Sequence, residues 1–207
     1  MKVLLFGFSS FPGIKNNHTS SIVKYIDTYQ DNIGLQIRSD VLPVSFEKCR
    51  AQIEKQITDY KPDAIILVGI KFSSASINLE KVALNIINSQ GTDSEGTIIE
   101  DQLIVPGGRE AYFSTFDLHP LKDRLTNAGI PSIVSYHAGT YICNQSYYLA
   151  CNLLDKLNAN PRALLIHIPR LPSQLPPEFR QYGIAYSTSR KAVRLCLEIL
   201  RDELIHK

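Results

Sequence analysis

The sequence predicts an α/β fold: one three-layer α/β/α domain over residues 1–207, with a twisted, largely parallel or mixed central sheet. Two observations carry this. Short β-branched or apolar runs alternate along the chain with longer amphipathic segments, the pattern of helices covering a mostly buried sheet. At 207 residues, with 44% of positions apolar and 20% charged, the chain can bury one substantial core, and no internal repeat or low-complexity tract divides it.

Each element follows in order. Lys2–Phe8 reads as a buried strand, followed by a helix that Thr19 or Ser20 caps and whose Ile22, Val23, Ile26 and Tyr29 share one face. Residues 36–44 give a second strand, and the spacing of Ala51, Ile53 and Ile57 gives a helix over 47–58. The apolar strand 63–68 ends at Gly69 and enters a polar loop, 71–76. The stretch 77–87 has apolar residues at both parities, so its period reads as strand or mixed. After a polar connection at 90–96, residues 98–105 are expected to hold a hairpin, and 109–127 a helical region interrupted near Pro120. Residues 131–136 form a further strand, 143–157 a helix, 162–168 a strand, and 188–205 a last amphipathic helix opened by a Ser/Thr cluster. Between the last two, 169–183 holds four of the 11 prolines, which argues against regular structure there. A lid over a site and an ordered surface connection both fit that segment.

Composition narrows the function classes. The 22 Lys and Arg against 20 Asp and Glu leave a formal charge of +2, and no basic run interleaves with aromatics, so no nucleic acid partner is expected. Apolar runs such as Ala64-Ile-Ile-Leu-Val-Gly-Ile70 fall far short of the roughly 20 residues that span a bilayer, so no membrane partner is expected either. The apolar stretch at the N-terminus is short and no small-residue cleavage site follows it, which makes it a first strand rather than a secretory leader. Cys49, Cys143, Cys151 and Cys196 are then expected as reduced thiols in a cytoplasmic protein.

The stretch richest in chemistry is Ser135-Tyr-His-Ala-Gly-Thr-Tyr-Ile-Cys-Asn-Gln145, where a strand runs into Ala138-Gly139-Thr140 and then into a helix beginning at Cys143. A thiol in the first turn of a helix feels the partial positive charge of the free N–H groups, which favours thiolate and leaves backbone donors for an oxyanion. A lone cysteine in such a place is more often a small buried apolar residue. A base has to come from His18, His119, His137, His167 or His206. His167 lies at the carboxyl end of its strand, where ligand sites of open α/β sheets collect. An imidazole in an aliphatic strand also needs a hydrogen-bond partner, so a satisfied core histidine is the other reading. His137 stands across a Gly turn from Cys143 and reads as a neighbour of the site, while His18, His119 and His206 read as solvated. Glu80 is the only acid in the apolar stretch 75–86, with adjacent Lys81 offering a surface ion pair as the alternative. Spacing alone does not bring these three residues together.

Three blocks in order, Ile77-Asn-Leu-Glu-Lys-Val-Ala-Leu-Asn85, Ala138-Gly-Thr-Tyr-Ile-Cys-Asn144 and Ile166-His-Ile-Pro169, resemble the Glu, Cys and His signatures of the pyroglutamyl peptidase I family, also called pyrrolidone carboxyl peptidases. Val3-Leu-Leu-Phe-Gly-Phe8 followed by Phe11-Pro-Gly13 is similar to that family's opening strand and Phe-rich turn, and the similarity covers nearly the whole chain. The resemblance implies an α/β/α domain and a thiol exopeptidase that removes an N-terminal pyroglutamyl (5-oxoproline) residue from peptides, with no metal and no cofactor. It further implies that Cys143 attacks the carbonyl, His167 takes the thiol proton and returns it to the leaving amine, and Glu80 holds the imidazole tautomer. Phe8, Phe11, Tyr141 and Ile142 would wall the lactam pocket. The implied partner is a peptide or small amide substrate, and because family members commonly associate, a homo-oligomer is a further implied partner.

The chain also departs from that pattern. Where the family usually has a Gly-rich turn ending in Arg, this chain has Gly69-Ile-Lys-Phe-Ser-Ser74, so a pocket-lining loop is rewritten. In Asn88-Ser-Gln-Gly-Thr-Asp-Ser94, neutral Gln90 stands where the family places a cation near the oxyanion, a loss on the order of 3 kcal/mol of transition-state stabilisation. Asn17-His-Thr19 replaces Asn-Pro-Ser, and Pro12 replaces a glycine. These departures leave two other readings: a divergent thiol amidase acting on another small acyl substrate, and a catalytically weak relative that binds a peptide terminus.

Overall fold

The computed structural model describes residues 1–28, 33–157 and 162–205. Their elements follow in the order β1 (Lys2–Phe8), α1 (His18–Asp27), β2 (Gln36–Leu42), α2 (Phe46–Tyr60), β3 (Ala64–Ile70), β4 (Ile77–Glu80), β5 (Val82–Leu84), β6 (Ala111–Phe113), α3 (Leu118–Asn127), β7 (Ser132–Ser135), α4 (Ile142–Lys156), β8 (Ala163–Ile168) and α5 (Tyr186–Ile205). Among the described residues, six strands make one sheet in the order β2-β1-β3-β8-β4-β7. Every pairing in it is parallel except β4 against β8. This is the mixed, mostly parallel α/β sheet the alternation of segments predicts.

Strand periodicity sorts the core into two layers. Val3, Leu5, Ile66, Val68, Leu164 and Ile166 face one side and pack under α1, α3 and α5, through residues such as Ile22, Leu121 and Val193. Leu4, Phe6, Ile65, Leu67, Ala163 and Leu165 face the other side, under α2 and α4. Both faces are covered, which is why β3 and β8 read as continuous apolar runs rather than alternating ones. Helix α4 is buried almost all round, with Tyr147, Tyr148, Leu149, Ala150 and Cys151 all inside, as expected of a helix packed into a core.

Several local expectations need correction. The cap of α1 is Asn17, not Thr19 or Ser20: its side chain accepts from the Thr19 N–H. The Thr19 hydroxyl is spent elsewhere, accepting the Phe8 N–H (2.9 Å) and donating to Asn17 Oδ1 (2.7 Å), which pins the end of β1. Gly7 permits that approach, since a Cβ there would lie 2.8 Å from the Thr19 carbonyl oxygen. Tyr29, expected on the inner face of this helix, lies outside the described residues, as does His206. Ala51 is exposed on α2, unlike Ile53 and Ile57.

The hairpin expected over 98–105 is absent. Ile98 and Leu103 are more than half exposed there, and one isolated bridge, Ile87 to Gln102, takes its place. The hairpin-like pair is instead β5 with β6, antiparallel and distant in sequence. Pro120 does not interrupt a helix: it sits in the first turn of α3, where a missing N–H costs no intrahelical bond. The region before α3 is a strand and a loop. The Pro-rich segment 169–183 carries two short 3₁₀ turns, Pro172–Gln174 and Pro177–Tyr182.

Candidate active site

The parity of two strands decides which side chains meet. In β8, Ala163 and Leu165 face α4 while Leu164, Ile166 and Ile168 face away, so His167 faces α4. In β4, Ile77 and Leu79 face away, so Asn78 and Glu80 share the side of His167. The antiparallel register sets Asn78 opposite His167 and Glu80 opposite Leu165, one same-face step along. Across that diagonal His167 Nδ1 lies 2.8 Å from Glu80 Oε1, with Glu80 fully buried and His167 3% exposed.

Burial alone would raise the Glu80 carboxyl. The hydrogen bond and charge of His167, with Ser135 and Lys71 beside it, more than offset that and hold it below the usual carboxylate range. An ionised carboxylate only accepts, so the imidazole donates from Nδ1, which leaves Nε2 on the side away from Glu80. Cys143 and His167 approach one point beside Gly69: a Cβ built on that glycine would lie 2.9 Å from Cys143 Sγ and 3.2 Å from His167 Nε2. Gly69 pairs directly with His167 across the β3–β8 register, and thiol and imidazole both border the space left by its missing side chain.

Cys143 is the second residue of α4, whose N-cap Tyr141 makes no side-chain cap bond, so first-turn N–H groups are left for other acceptors. Burial, with the Glu80 charge added, pushes the thiol up to about 12, against the pull of its own backbone N–H and the Lys71 cation.

Cys143 and His167 open on a cavity of about 450 Å³, within the range of small-molecule sites. Phe8, Phe11, Tyr141 and Ile142 all line it. Tyr141 is fixed at both ends, its hydroxyl donating to the Thr92 carbonyl (2.9 Å) and its ring set edge-on to Phe46 at 5.3 Å. Gln90 lies at the exposed rim, held there because Asn88 and Thr140 exchange two hydrogen bonds of 3.0 and 2.7 Å. His137 lines the cavity as a neighbour and accepts the Gly139 N–H at Nδ1 (3.1 Å).

Two residues escape the sequence reading. Lys71, placed in a polar loop, donates to Glu80 Oε1 (3.0 Å), Ser135 Oγ (3.1 Å) and the His137 carbonyl (2.8 Å). Its signal was its position, the first residue beyond the central strand that ends beside His167. His18, expected in solvent, is 5% exposed at the start of α1, and burial lowers it to about 4, so it is a neutral core imidazole. His119 is exposed, as expected.

The pyroglutamyl peptidase family model matches residues 1–203 of the chain. The chain belongs to the pyroglutamyl peptidase family. It is 35% identical over 210 residues to the pyrrolidone-carboxylate peptidase of Pyrococcus furiosus, covering 99% of this chain and 100% of that one. To the enzyme of the same name from Bacillus cytotoxicus it is 32% identical, over 95% and 91%. The structure superposes with a TM-score of 0.92 and 34% identity on a mutant pyrrolidone carboxyl peptidase from P. furiosus, covering 98% of this chain and 99% of that one. Membership makes the chain a cysteine peptidase of the pyroglutamyl peptidase I type. No helix among the described residues is long and apolar enough to cross a membrane.

Proposed function

We propose that this chain removes N-terminal pyroglutamyl residues from peptides with Cys143 as nucleophile, His167 as base and Glu80 as the group that orients the base. The observation that carries the assignment of roles is that Cys143 Sγ and His167 Nε2 both lie near one point beside Gly69, with His167 Nδ1 tied to Glu80. A nucleophile facing a base that is itself held by a third group is the arrangement thiol acyl transfer needs.

The lactam ring lies in the cavity against Phe8, Phe11 and Tyr141, with its exocyclic carbonyl carbon over Sγ. His167 Nε2 takes the S–H proton, and the sulfur attacks the carbonyl carbon to form the S–C bond. The carbonyl oxygen becomes an oxyanion facing the free first-turn N–H groups of α4. Collapse breaks the C–N bond, and Nε2 gives its proton to the departing peptide amine. Water then attacks the thioester with Nε2 as base, which releases pyroglutamate and restores the thiol. Glu80 keeps Nδ1 protonated throughout and stabilises the imidazolium formed in both halves.

All four cysteines are free thiols, which supports a reducing compartment such as the cytoplasm. The fold supports a single domain over the matched residues. Turnover of a pyroglutamyl arylamide under reducing conditions tests the assignment: wild type hydrolyses it and Cys143→Ala does not. A wild type without turnover, or an active Cys143→Ala, overturns it.

A further inference from the structure

A second cavity, of about 260 Å³, opens beside the catalytic one and shares Phe72 and Ser73 with it. Its other walls include Arg170, Leu175, Phe179 and Tyr182. We infer that this cavity receives the leaving side of the substrate and binds a carboxylate there through Arg170, which makes short acidic or free-carboxylate pyroglutamyl peptides the preferred substrates. The inference rests on the pyroglutamyl peptidase reading and adds to it the far side of the scissile bond.

Topology places the cavity where a leaving amine must go. β3 and β8 are parallel neighbours, so the segments that follow them, starting at Lys71 and Pro169, leave from one sheet edge. That edge carries Gly69 and His167. The acyl group fills the cavity lined by Phe8, Phe11 and Tyr141, and the amine departs past His167 Nε2, towards the two segments that wall the second cavity. Phe72 stands between the two spaces, with its ring set edge-on to Phe11 at 6.2 Å.

The chemistry of the walls is specific. The Arg170 guanidinium lies 5.3 Å from the centre of the Phe72 ring. Its Nε is buried without a hydrogen-bond partner, and among the described residues the guanidinium makes no ion pair. Arg170 lines the cavity with no carboxylate among the described residues to neutralise it, so a ligand carboxylate finds an uncommitted cation there. Guanidinium suits carboxylate because its forked N–H groups match the two oxygens. Phe72, Phe179 and Tyr182 are each about half exposed and offer apolar surface beside it.

The cavity is built before any ligand arrives. The loop that forms it is closed at its base by the Ile184 N–H donating to the Arg170 carbonyl (3.1 Å). Gly183 lies so near Pro172 that a Cβ there would be 2.6 Å from its nitrogen. Gln174 fastens the loop at two further points, accepting the Leu171 N–H (2.9 Å) and donating to the Asn16 carbonyl (2.9 Å).

The test compares kcat/KM for pyroglutamyl-phenylalanine with its C-terminal amide, and pyroglutamyl-glutamyl amide with pyroglutamyl-glutaminyl amide, in wild type, Arg170→Met and Arg170→Lys. Wild type is expected to favour the carboxylate member of at least one pair by about tenfold, as a charge-assisted hydrogen bond allows. The first pair reports a terminal carboxylate and the second a side chain. Arg170→Met is expected to bring the ratio close to one, and Arg170→Lys to keep part of it. A wild-type ratio near one in both pairs overturns the inference without recourse to any variant. So does a ratio that Arg170→Met leaves unchanged, including the case where sedimentation shows a second copy of the chain occupying this face. A pyroglutamyl arylamide separates the two levels. If wild type turns it over without carboxylate preference, the subsite alone is wrong; if wild type turns over no pyroglutamyl compound, both readings fall.

Discussion

Glu80 Oε1 accepts from His167 Nδ1 at 2.8 Å and from Lys71 Nζ at 3.0 Å, so one carboxylate oxygen serves both the imidazole and a lysine cation. The cation stabilises the buried carboxylate and at the same time opposes protonation of the imidazole. Replacing Lys71 by Met leaves the Glu80 charge to His167 alone and so favours the imidazolium. The acid limb of the pH profile of kcat/KM is expected to move to higher pH, with a smaller change for Lys71→Arg. A profile that stays in place assigns Lys71 to structure only.

Glu80→Gln tests the tautomer. An amide in place of the carboxylate no longer compels Nδ1–H and leaves Nε2 free to hold the proton, where the proposed mechanism needs it free to take one from the thiol. A fall in kcat of about 10⁴, the scale seen when a triad acid is changed to its amide, is expected with little change in KM. Steady-state kinetics on a pyroglutamyl arylamide checks it, and a loss below tenfold removes Glu80 from the mechanism.

Gly69 holds open the space between sulfur and imidazole. A methyl there meets Sγ at 2.9 Å and His167 Cδ2 at 3.0 Å, so one of them must shift. Gly69→Ala is expected to lower kcat by about a hundredfold, the scale of a misplacement near 1 Å. Circular dichroism should show the fold retained.

Gln90→Arg places a cation at the cavity rim. Lys71 does not supply that charge to the oxyanion, since its donors are taken by Glu80, Ser135 and the His137 carbonyl. A rise in kcat/KM of about tenfold or more is expected. An unchanged or lower rate shows that the first-turn N–H groups of α4 already suffice.

Asp93 ties the loop that carries Gln90 to the start of α2. Burial would raise its carboxyl, but backbone N–H groups of Thr97, Phe46 and Glu95, at 2.9, 3.0 and 2.8 Å, hold it below the usual range. A depressed folded pKa gives stability that is present above the unfolded value, near 4, and lost as pH falls through the folded value. Asp93→Ala is expected to cost about 1–3 kcal/mol near neutral pH, a penalty that shrinks in acid. Urea melts at pH 7 and pH 3 measure both, and an equal penalty at the two values contradicts the assignment.

The parts of the site that the sequence made legible are those set by short-range pattern. The strand ending in His167, the Gly turn into α4 and the apolar stretch around Glu80 each show as local periodicity, and the three family blocks bring them together. What stayed hidden depends on long-range placement. Lys71 reads as a loop residue because its partners Glu80, Ser135 and His137 come from β4, β7 and the segment beyond it. His18 reads as solvated because burial at the start of α1 is a tertiary fact. The pair β5 and β6 is missed because its strands lie far apart in sequence with no turn between them, while exposed Ile98 and Leu103 imitate an alternating strand. Helix position alone also misses the desolvation around Cys143, a tertiary effect that pushes its thiol up against the pull of the local N–H groups.

The account turns on a covalent step at Cys143. Wild type and Cys143→Ala, each mixed with a pyroglutamyl arylamide under reducing conditions and followed by arylamine release, test it most directly. Steady release by wild type with none above background for Cys143→Ala is the predicted result, and equal rates for the two proteins, or no release by wild type, would contradict it.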